Sequence, residues 1–493
     1  SHSTLYGGET MFKNTNEQEK IWNVIENTDK HVIVYAGAGT GKTYTIVEGA
    51  NRCSGSKMFL AFNKSIATEL DKKLPHDCEA KTFHSLGLKA VKAQNRRAKV
   101  DNRKTRNIVN NVLGKNYKST NQLCKLISLL KGSLSDWDDR EQINALVDEY
   151  DIEFDGIRDF NDALQAMKTI YNYSTDVSIL DFDDMIWLPL IHNMPMQHYD
   201  NVFVDEAQDF NEAQRELVLR TRNGGRLVIV GDPNQAIYGF RGADSNSMDI
   251  MLQKMMAKDS KRIIERLTLS TTFRCPKTVV ADAQRFQENY NCPDDAIDGA
   301  VNVHAAFNPE LGDLVLCRVN APLVGECFRL IASGVPAKVL GRDIGVSLES
   351  LVKKVTKDMD MEIHMFKPLL EEYVENLIVS LTNAEKERQV QSLKDKYECI
   401  LHLMSRNTLT VGGLIKNIKT IFGDKEKNSV IFSTVHKAKG LEADNVWILS
   451  PEKMPHPMAK SAADREQERN ICYVAITRAK KNLFYCGPKP GKI

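Results

Sequence analysis

The stretch HVIVYAGAGTGKTYTIVEGA, from His31 to Ala50, constrains the fold more than any other part of this sequence. An apolar run from Val32 to Tyr35 meets a glycine-rich turn and passes into a helical period, so the order is strand, loop, helix. Within it AGAGTGKT, residues Ala36, Gly37, Ala38, Gly39, Thr40, Gly41, Lys42 and Thr43, fits a phosphate-binding loop. Its glycines let backbone N–H groups approach phosphate oxygens, and the helix that follows presents its positive end to them. Lys42 reaches terminal phosphates and the Thr43 hydroxyl is a candidate Mg²⁺ ligand. Ala36 stands where glycine is commonest in the pattern, a mild substitution.

An acidic partner appears at NVFVDEAQD, where an apolar run ends in Asp205 and Glu206. Strand ends are where such folds place ligands. Asp205 is the candidate second Mg²⁺ residue, and Glu206 the candidate that polarises the water attacking a γ-phosphate. Two adjacent acids alone are more often a solvated turn; a strand end downstream of a phosphate loop reverses that expectation.

Further short apolar runs at KMFLAF, RLVIVGD, DLVLCRV and NVWILSP alternate with helical segments, which predicts parallel sheets covered by helices. Ala90–Val177 and Ser347–Glu426 break the pattern with charged helix formers and predict mainly helical insertions. The expected layout is a first core over 1–89 and 178–265 with insertion 90–177, then a second core over 266–346 and 427–493 with insertion 347–426. A chain of 493 residues is long enough for several cores, in line with this layout.

Composition narrows the classes further. Lys+Arg 66 against Asp+Glu 65 leaves a net charge of +1, so any nucleic-acid contact requires a local basic groove. The most basic run, Lys89–Arg106, reads equally as a duplex-phosphate contact or a solvated helical face. The ten cysteines lack metal-ligand spacing and read as reduced core thiols, and no apolar run reaches the roughly 18 residues of a membrane span. SHSTLYGGET reads as a tag remnant or unstructured leader.

A phosphate loop with an acidic strand end describes many nucleotidases, and the remaining motifs decide among them. LVIVGDPNQAIYGFRGAD, LTLSTTFRCP, STVHKAKGLEADNVWIL and RNICYVAITRAKKNL, with the shorter AFNKSIATEL, KTFHSLG and DFDDM, resemble the motif series of UvrD/Rep-type superfamily 1 DNA helicases in the family's order. The matches run from Asn16 to Leu483 and leave out the two insertions; the FNKSIA variant resembles compact and F-box-associated members.

That resemblance implies an α/β fold of two RecA-like P-loop cores with ATP and Mg²⁺ between them. It implies that Gln18 reads adenine, that Tyr44 and Phe273 sandwich the base, and that Glu442 bonds the ribose. The family more often has arginine and tyrosine at the two stacking positions; both replacements here keep a flat stacking surface. Gln235 is implied as γ-phosphate sensor, and Arg274 and Arg478 as arginine fingers from the second core. Phe62, Phe83, His84, Tyr238 and Phe240 are implied to stack on DNA bases, with Asn63, Lys64, Thr82, Arg241 and His436 as backbone contacts. Phe240 replaces the family's common tryptophan.

The activity implied is ATP-driven translocation on single-stranded DNA with 3′ to 5′ unwinding, in replication, recombination or repair. The expected partners are single strands and junctions, with replication or recombination proteins beside them; the expected state is a monomer away from membranes. The expected location is the cytoplasm, or the nucleus in a eukaryote, or the host interior for a virus. The motifs leave open a translocase that strips proteins from DNA, a nucleotide-switched scaffold, and an RNA-directed motor.

Overall fold

The computed structural model describes residues 13–61, 64–150, 152–222, 224–237 and 246–491. The chain divides into two units, Ser1–Thr271 and Thr272–Ile493.

The first unit opens on α1 (Asn16–Asn27), started by a capping box in which Thr15 and Gln18 exchange backbone and side-chain bonds. Then come β1 (His31–Ala36), α2 (Lys42–Arg52), β2 (Lys57–Ala61), α3 (Lys64–Asp71), β3 (Cys78–Thr82) and α4 (Phe83–Gln94). A helical segment follows: β4 (Lys99–Val100), α5 (Lys104–Leu113), α6 (Thr120–Ser133), α7 (Arg140–Glu149), α8 (Gly156–Ser174), β5 (Ile179–Leu180) and α9 (Asp184–Ile191). The chain returns through β6 (Asn201–Val204), α10 (Glu212–Thr221), β7 (Arg226–Gly231), α11 (Ser247–Lys258) and β8 (Ile264–Leu269).

Six strands form one sheet in the order β3-β2-β6-β7-β1-β8, with every pairing parallel. Alternate residues serve two cores. Val32, Val34, Phe203, Val228 and Val230 pack with Ile21, Ile25 and Ile46 on one face. Ile33, Leu60, Val202, Val204 and Ile229 pack on the other with Leu126, Ile127, Ile170 and Trp187 of the helical segment. A sheet covered on both faces explains why its strands read as nearly unbroken apolar runs. Each such side chain contributes roughly 1.5–3 kcal/mol on burial.

One expected boundary is corrected. The break between the cores lies after residue 271 and not after 265, because β8 pairs in register with β1 from His31↔Ile264 to Ala36↔Leu269 and so completes the first sheet. The first insertion is also entered partway along α4, which runs through residue 90.

The second unit contains α12 (Lys277–Ala283), β9 (Ala300–Asn302), β10 (Leu314–Cys317), α13 (Ala321–Ala332), β11 (Ala337–Leu340), α14 (Arg342–Val355), α15 (Ile363–Asn383), α16 (Glu387–Leu403) and α17 (Val411–Ile421). It ends with β12 (Phe422–Gly423), β13 (Val430–Thr434), β14 (Ala443–Ile448), α18 (Ala462–Ile476) and β15 (Ala479–Tyr485). Its seven-stranded sheet has the order β12-β11-β13-β10-β14-β15-β9, again all parallel. Phe366, Leu370, Ile400 and Ile418, from the segment expected as a second insertion, share a core with Val315, Val339 and Phe432 of the sheet. Among the described residues no helix is long and apolar enough to cross a membrane.

Candidate functional site

Strand order brings the ends of β1, β6 and β7 to one edge of the first sheet, since these three are neighbours and parallel. The phosphate-loop sequence follows β1. Gly39 and Gly41 have φ of 70° and 77°, a left-handed conformation that glycine adopts at no steric cost. The Gly37 N–H donates to Leu269 O at 2.8 Å and the Thr40 hydroxyl to Gly37 O at 2.9 Å, pinning the loop to the sheet and to itself.

Lys42, the first residue of α2, points to the end of β6. Its Nζ donates to Glu206 Oε1 at 3.1 Å. Burial pulls the ammonium's pKa down, but Glu206, Asp205 and Asp232 outweigh it and hold it above the ordinary lysine value. The Thr43 hydroxyl donates to Asp205 Oδ2 at 3.4 Å, and the Glu206 N–H donates to Asp205 Oδ1 at 2.7 Å. Burial raises the Asp205 carboxyl pKa, against the pull of Lys42 and with the push of Glu206. Threonine and aspartate oxygens side by side are the hard donor set that Mg²⁺ takes, so the residues present fit that ion.

Glu206 itself sits at φ 56°, ψ 36°. A non-glycine residue held there costs on the order of 1–3 kcal/mol, a strain that concentrates at working sites. Beyond it runs a line of hydrogen bonds. Gln208 Nε2 donates to Glu206 Oε2 at 2.5 Å, Gln208 Oε1 accepts the Asp232 N–H at 2.9 Å, and Gln235 Nε2 donates to Asp232 Oδ2 at 2.7 Å. The line joins Lys42 to Gln235. Its middle members, Gln208 and Asp232, were not singled out in the sequence, although Asp232 stands at a strand end as Asp205 does.

Gln18 is 1% exposed, its Oε1 accepting the Thr15 N–H at 3.0 Å and its Nε2 donating to Thr45 Oγ1 at 3.2 Å. Reading adenine would require these bonds to be exchanged. Tyr44 is half-buried, with its ring edge-on to Trp22 at 6.0 Å.

The second unit assembles its own cluster. Arg274 Nε donates to Glu442 Oε2 at 2.6 Å and its Nη1 to Thr477 O at 3.2 Å. Arg478 is 1% exposed, and its guanidinium donates to Val474 O, Leu441 O and Thr477 Oγ1. Burial, then the neighbouring Arg274, lowers its pKa to about 10. A finger role for Arg478 would need these bonds released. Phe273 is half-buried, and His436 is half-buried in a short turn after β13.

The residues expected at DNA separate into three groups. Phe62, Asn63, Tyr238, Phe240 and Arg241 lie outside the described residues. Lys64 is exposed at the start of α3, and Thr82 caps α4 by accepting the Ser85 N–H at 3.1 Å. Phe83 is a correction: it is 1% exposed, packed edge-on against Phe210 at 5.2 Å, and has no open face for a base. Its position follows from the α4 stripe Phe83, Leu86, Gly87, Ala90 and Val91, all buried.

The neighbouring His84 instead stacks on Phe182 with ring centroids 3.6 Å apart and planes at 23°. Phe182 is 54% exposed. Burial lowers the His84 pKa to about 4, so its ring is uncharged at neutral pH. The pair is brought together where α4 meets α9, since a Cβ on Gly87 would stand 1.8 Å from Met185 O. Phe182 lies in DFDDM, one of the shorter motifs, whose pattern alone assigns its aromatic residue no role.

Two parallel sheets, a glycine-turned phosphate loop and carboxylates at the adjacent strand end define a RecA-like P-loop nucleotidase. Within that class, residues 16–255 match the UvrD/REP helicase N-terminal domain and residues 240–486 the UvrD-like helicase C-terminal domain, and the chain belongs to this family. Over 95% of its length it is 25% identical to F-box DNA helicase protein 1 of Schizosaccharomyces pombe, of which it spans 57%. It is 22% identical to the ATP-dependent DNA helicase Rep of Buchnera aphidicola, over 94% of this chain and 92% of that one. It is 24% identical to the ATP-dependent DNA helicase PcrA of Staphylococcus epidermidis, over 96% of this chain and 83% of that one.

Proposed function

We propose that the chain is an ATP-hydrolysing DNA helicase that moves 3′ to 5′ along a single strand and opens duplexes ahead of it. The observation that carries this reading is the line from Lys42 through Glu206, Gln208 and Asp232 to Gln235, because it ends where the segment holding Tyr238, Phe240 and Arg241 begins.

In this reading ATP phosphates draw Lys42 away from Glu206. The freed carboxylate, still held by Gln208, accepts a proton from the attacking water. Asp205 and Thr43 would hold Mg²⁺, which supplies charge neutralisation on the phosphates. Gln235 responds to the γ-phosphate and passes the change to the residues after it through one short stretch of backbone. Arg274 and Arg478 stabilise charge on the transferring phosphoryl group once nucleotide is bound. The partners are single strands and junctions met in replication, recombination or repair, engaged by a monomer inside the cell.

The test is ATP hydrolysis with and without single-stranded DNA, beside unwinding of duplexes tailed at either end. DNA-stimulated turnover with opening of the 3′-tailed duplex alone is expected. Stimulation without opening would replace unwinding by stripping, and no stimulation would replace the motor by a nucleotide-switched scaffold.

A further inference from the structure

A cleft of about 380 Å³ opens in the helical segment between the end of α6 and helices α8 and α9, with Asp136, Trp137, Asp138, Lys168, Tyr171 and Trp187 in its lining. That is a volume small ligands and single side chains occupy. Trp137 and Trp187 stack with centroids 5.3 Å apart and planes at 20°, and Tyr171 stands edge-on to them at 5.2 Å and 5.8 Å. The two tryptophans are 3% and 2% exposed, while Tyr171 keeps part of its surface open.

Trp137 carries a second signal. Its Nε1–H is buried and meets no acceptor among the described residues. Proteins keep few such donors, because water is lost and nothing replaces it. In a residue that lines a cleft, the missing acceptor is one that an occupant can bring.

The rim is acidic. Asp136 and Asp138 are exposed there, whereas Asp139 is spent on α7, its Oδ1 accepting the Glu141 N–H at 2.9 Å and the Gln142 N–H at 3.2 Å. These residues open a stretch, 136–162, with eleven acids against two arginines in a chain of net charge +1. Such a surface repels a phosphate backbone and attracts cations. The basic run of the same segment is directed elsewhere at Lys104, which is buried against Asp184 Oδ2 at 2.7 Å. Lys168, exposed on α8, adds a donor to the lining, so a bare cation leaves part of it unmatched. A peptide, with carbonyl oxygens beside its cationic side chains, matches both signs.

We propose that this cleft is a docking site for a basic segment of a partner protein. An arginine or lysine side chain lies against Tyr171 with its charge at Asp136 and Asp138, and a backbone carbonyl of the segment accepts from Trp137 Nε1. None of these residues is among those assigned to hydrolysis or strand contact, so the proposal goes beyond the motor reading and does not depend on it.

The experiment uses the full chain and capped synthetic peptides, acetyl-tetra-arginine amide against acetyl-tetra-glutamate amide, with spermidine as a bare polycation. Calorimetry and tryptophan fluorescence read the dissociation constant; thermal unfolding and DNA-stimulated ATP turnover check each variant. Saturable binding of the tetra-arginine peptide is expected, with neither tetra-glutamate nor spermidine approaching its affinity. Asp136→Asn with Asp138→Asn is expected to weaken it about fivefold, the loss of two rim charges. Tyr171→Leu is expected to weaken it about threefold to tenfold, the loss of a ring beneath a cation. Asp148→Asn with Glu149→Gln removes the same charge from exposed positions outside the cleft and is expected to change affinity by less than about twofold. Turnover is expected to be unchanged in all of them.

Absence of saturable peptide binding would overturn the proposal, and so would equal losses in the two acidic pairs, which would mean attraction by net charge alone. Spermidine bound as tightly as the peptide would replace the peptide by a bare polycation. A change in oligothymidylate affinity in the Asp136 and Asp138 pair, with peptide affinity unaltered, would give the face to DNA. Self-association of the wild-type chain that this pair abolishes, read by sedimentation, would give it to a second copy. Each of these would overturn the partner segment. The four acidic positions are exposed, so the test stands even if Tyr171→Leu fails to fold.

Discussion

Lys42 Nζ stands 3.1 Å from Glu206 Oε1, so the cation proposed to meet phosphate and the carboxylate proposed to polarise water are each other's partners. Binding ATP is then an exchange of partners, and the two residues should fail in different ways.

Replacing Lys42 with alanine is expected to bring ATP turnover to background, because the phosphates lose their cation. Steady-state hydrolysis checks this, with DNA affinity in the absence of nucleotide expected to hold. Normal turnover would move the phosphate site elsewhere.

Glu206→Gln keeps a partner for Gln208 and removes the proton acceptor. ATP binding is expected to persist while hydrolysis falls by about 10²–10⁴-fold. Equilibrium binding of a fluorescent ATP analogue beside single-turnover hydrolysis separates the two, and wild-type hydrolysis would assign the base to another group.

Gly87→Ala places a methyl group 1.8 Å from the Met185 carbonyl oxygen, where backbone on both sides has to move. A stability loss of roughly 1–3 kcal/mol is expected from such overpacking, read as a shift in the denaturant midpoint. Because α4 carries His84, a residue expected at the strand, single-strand affinity is expected to weaken with it. An unshifted midpoint would mean that the helices are not held at this spacing.

His31 gives a pH dependence. Its Nδ1 accepts the Leu227 N–H at 3.0 Å, which leaves Nε2 to donate to Asp259 Oδ2 at 3.1 Å, so the ring is neutral. Burial, against the pull of Asp259, lowers its pKa to about 4. The unfolded chain takes up this proton near pH 6.5 and the folded one does not, so the stability is whole above 6.5 and is lost as pH falls towards 4. About 2 kcal/mol should be gone by pH 5 from this group alone. Urea unfolding at pH 7.5 and 5 should show a smaller difference for His31→Asn, and an equal difference would place the acid sensitivity elsewhere.

Sequence made the phosphate loop legible because its demands are local: glycines at φ 70° and 77° with a lysine beside them are written in consecutive residues. Phe83 is legible in its helical phase, since its buried stripe along α4 is a helical period, whereas the motif around it marks only the aromatic type. Phe182 and Lys104 were not legible. Nothing beside Lys104 distinguishes it from the exposed Arg96 and Arg97, because its carboxylate partner lies at Asp184, far along the chain. The misplaced boundary has the same origin: β8 belongs to the first sheet through its pairing with β1, while the sequence after it reads on into the next motif. The capping box of Thr15 and Gln18 was written plainly, as threonine followed three residues later by glutamine.

Leu126, Ile127, Ile170 and Trp187 fill the same core as Ile33, Leu60, Val202 and Ile229 of the first sheet. As a heritable unit, this helical segment is therefore not a cassette. A recombination event that exchanged it between relatives would have to deliver matching side-chain shapes to strands outside the exchanged stretch. Lineages altering the segment should change it by drift at its outer surface, with the layer against the sheet descending together with the strands it covers.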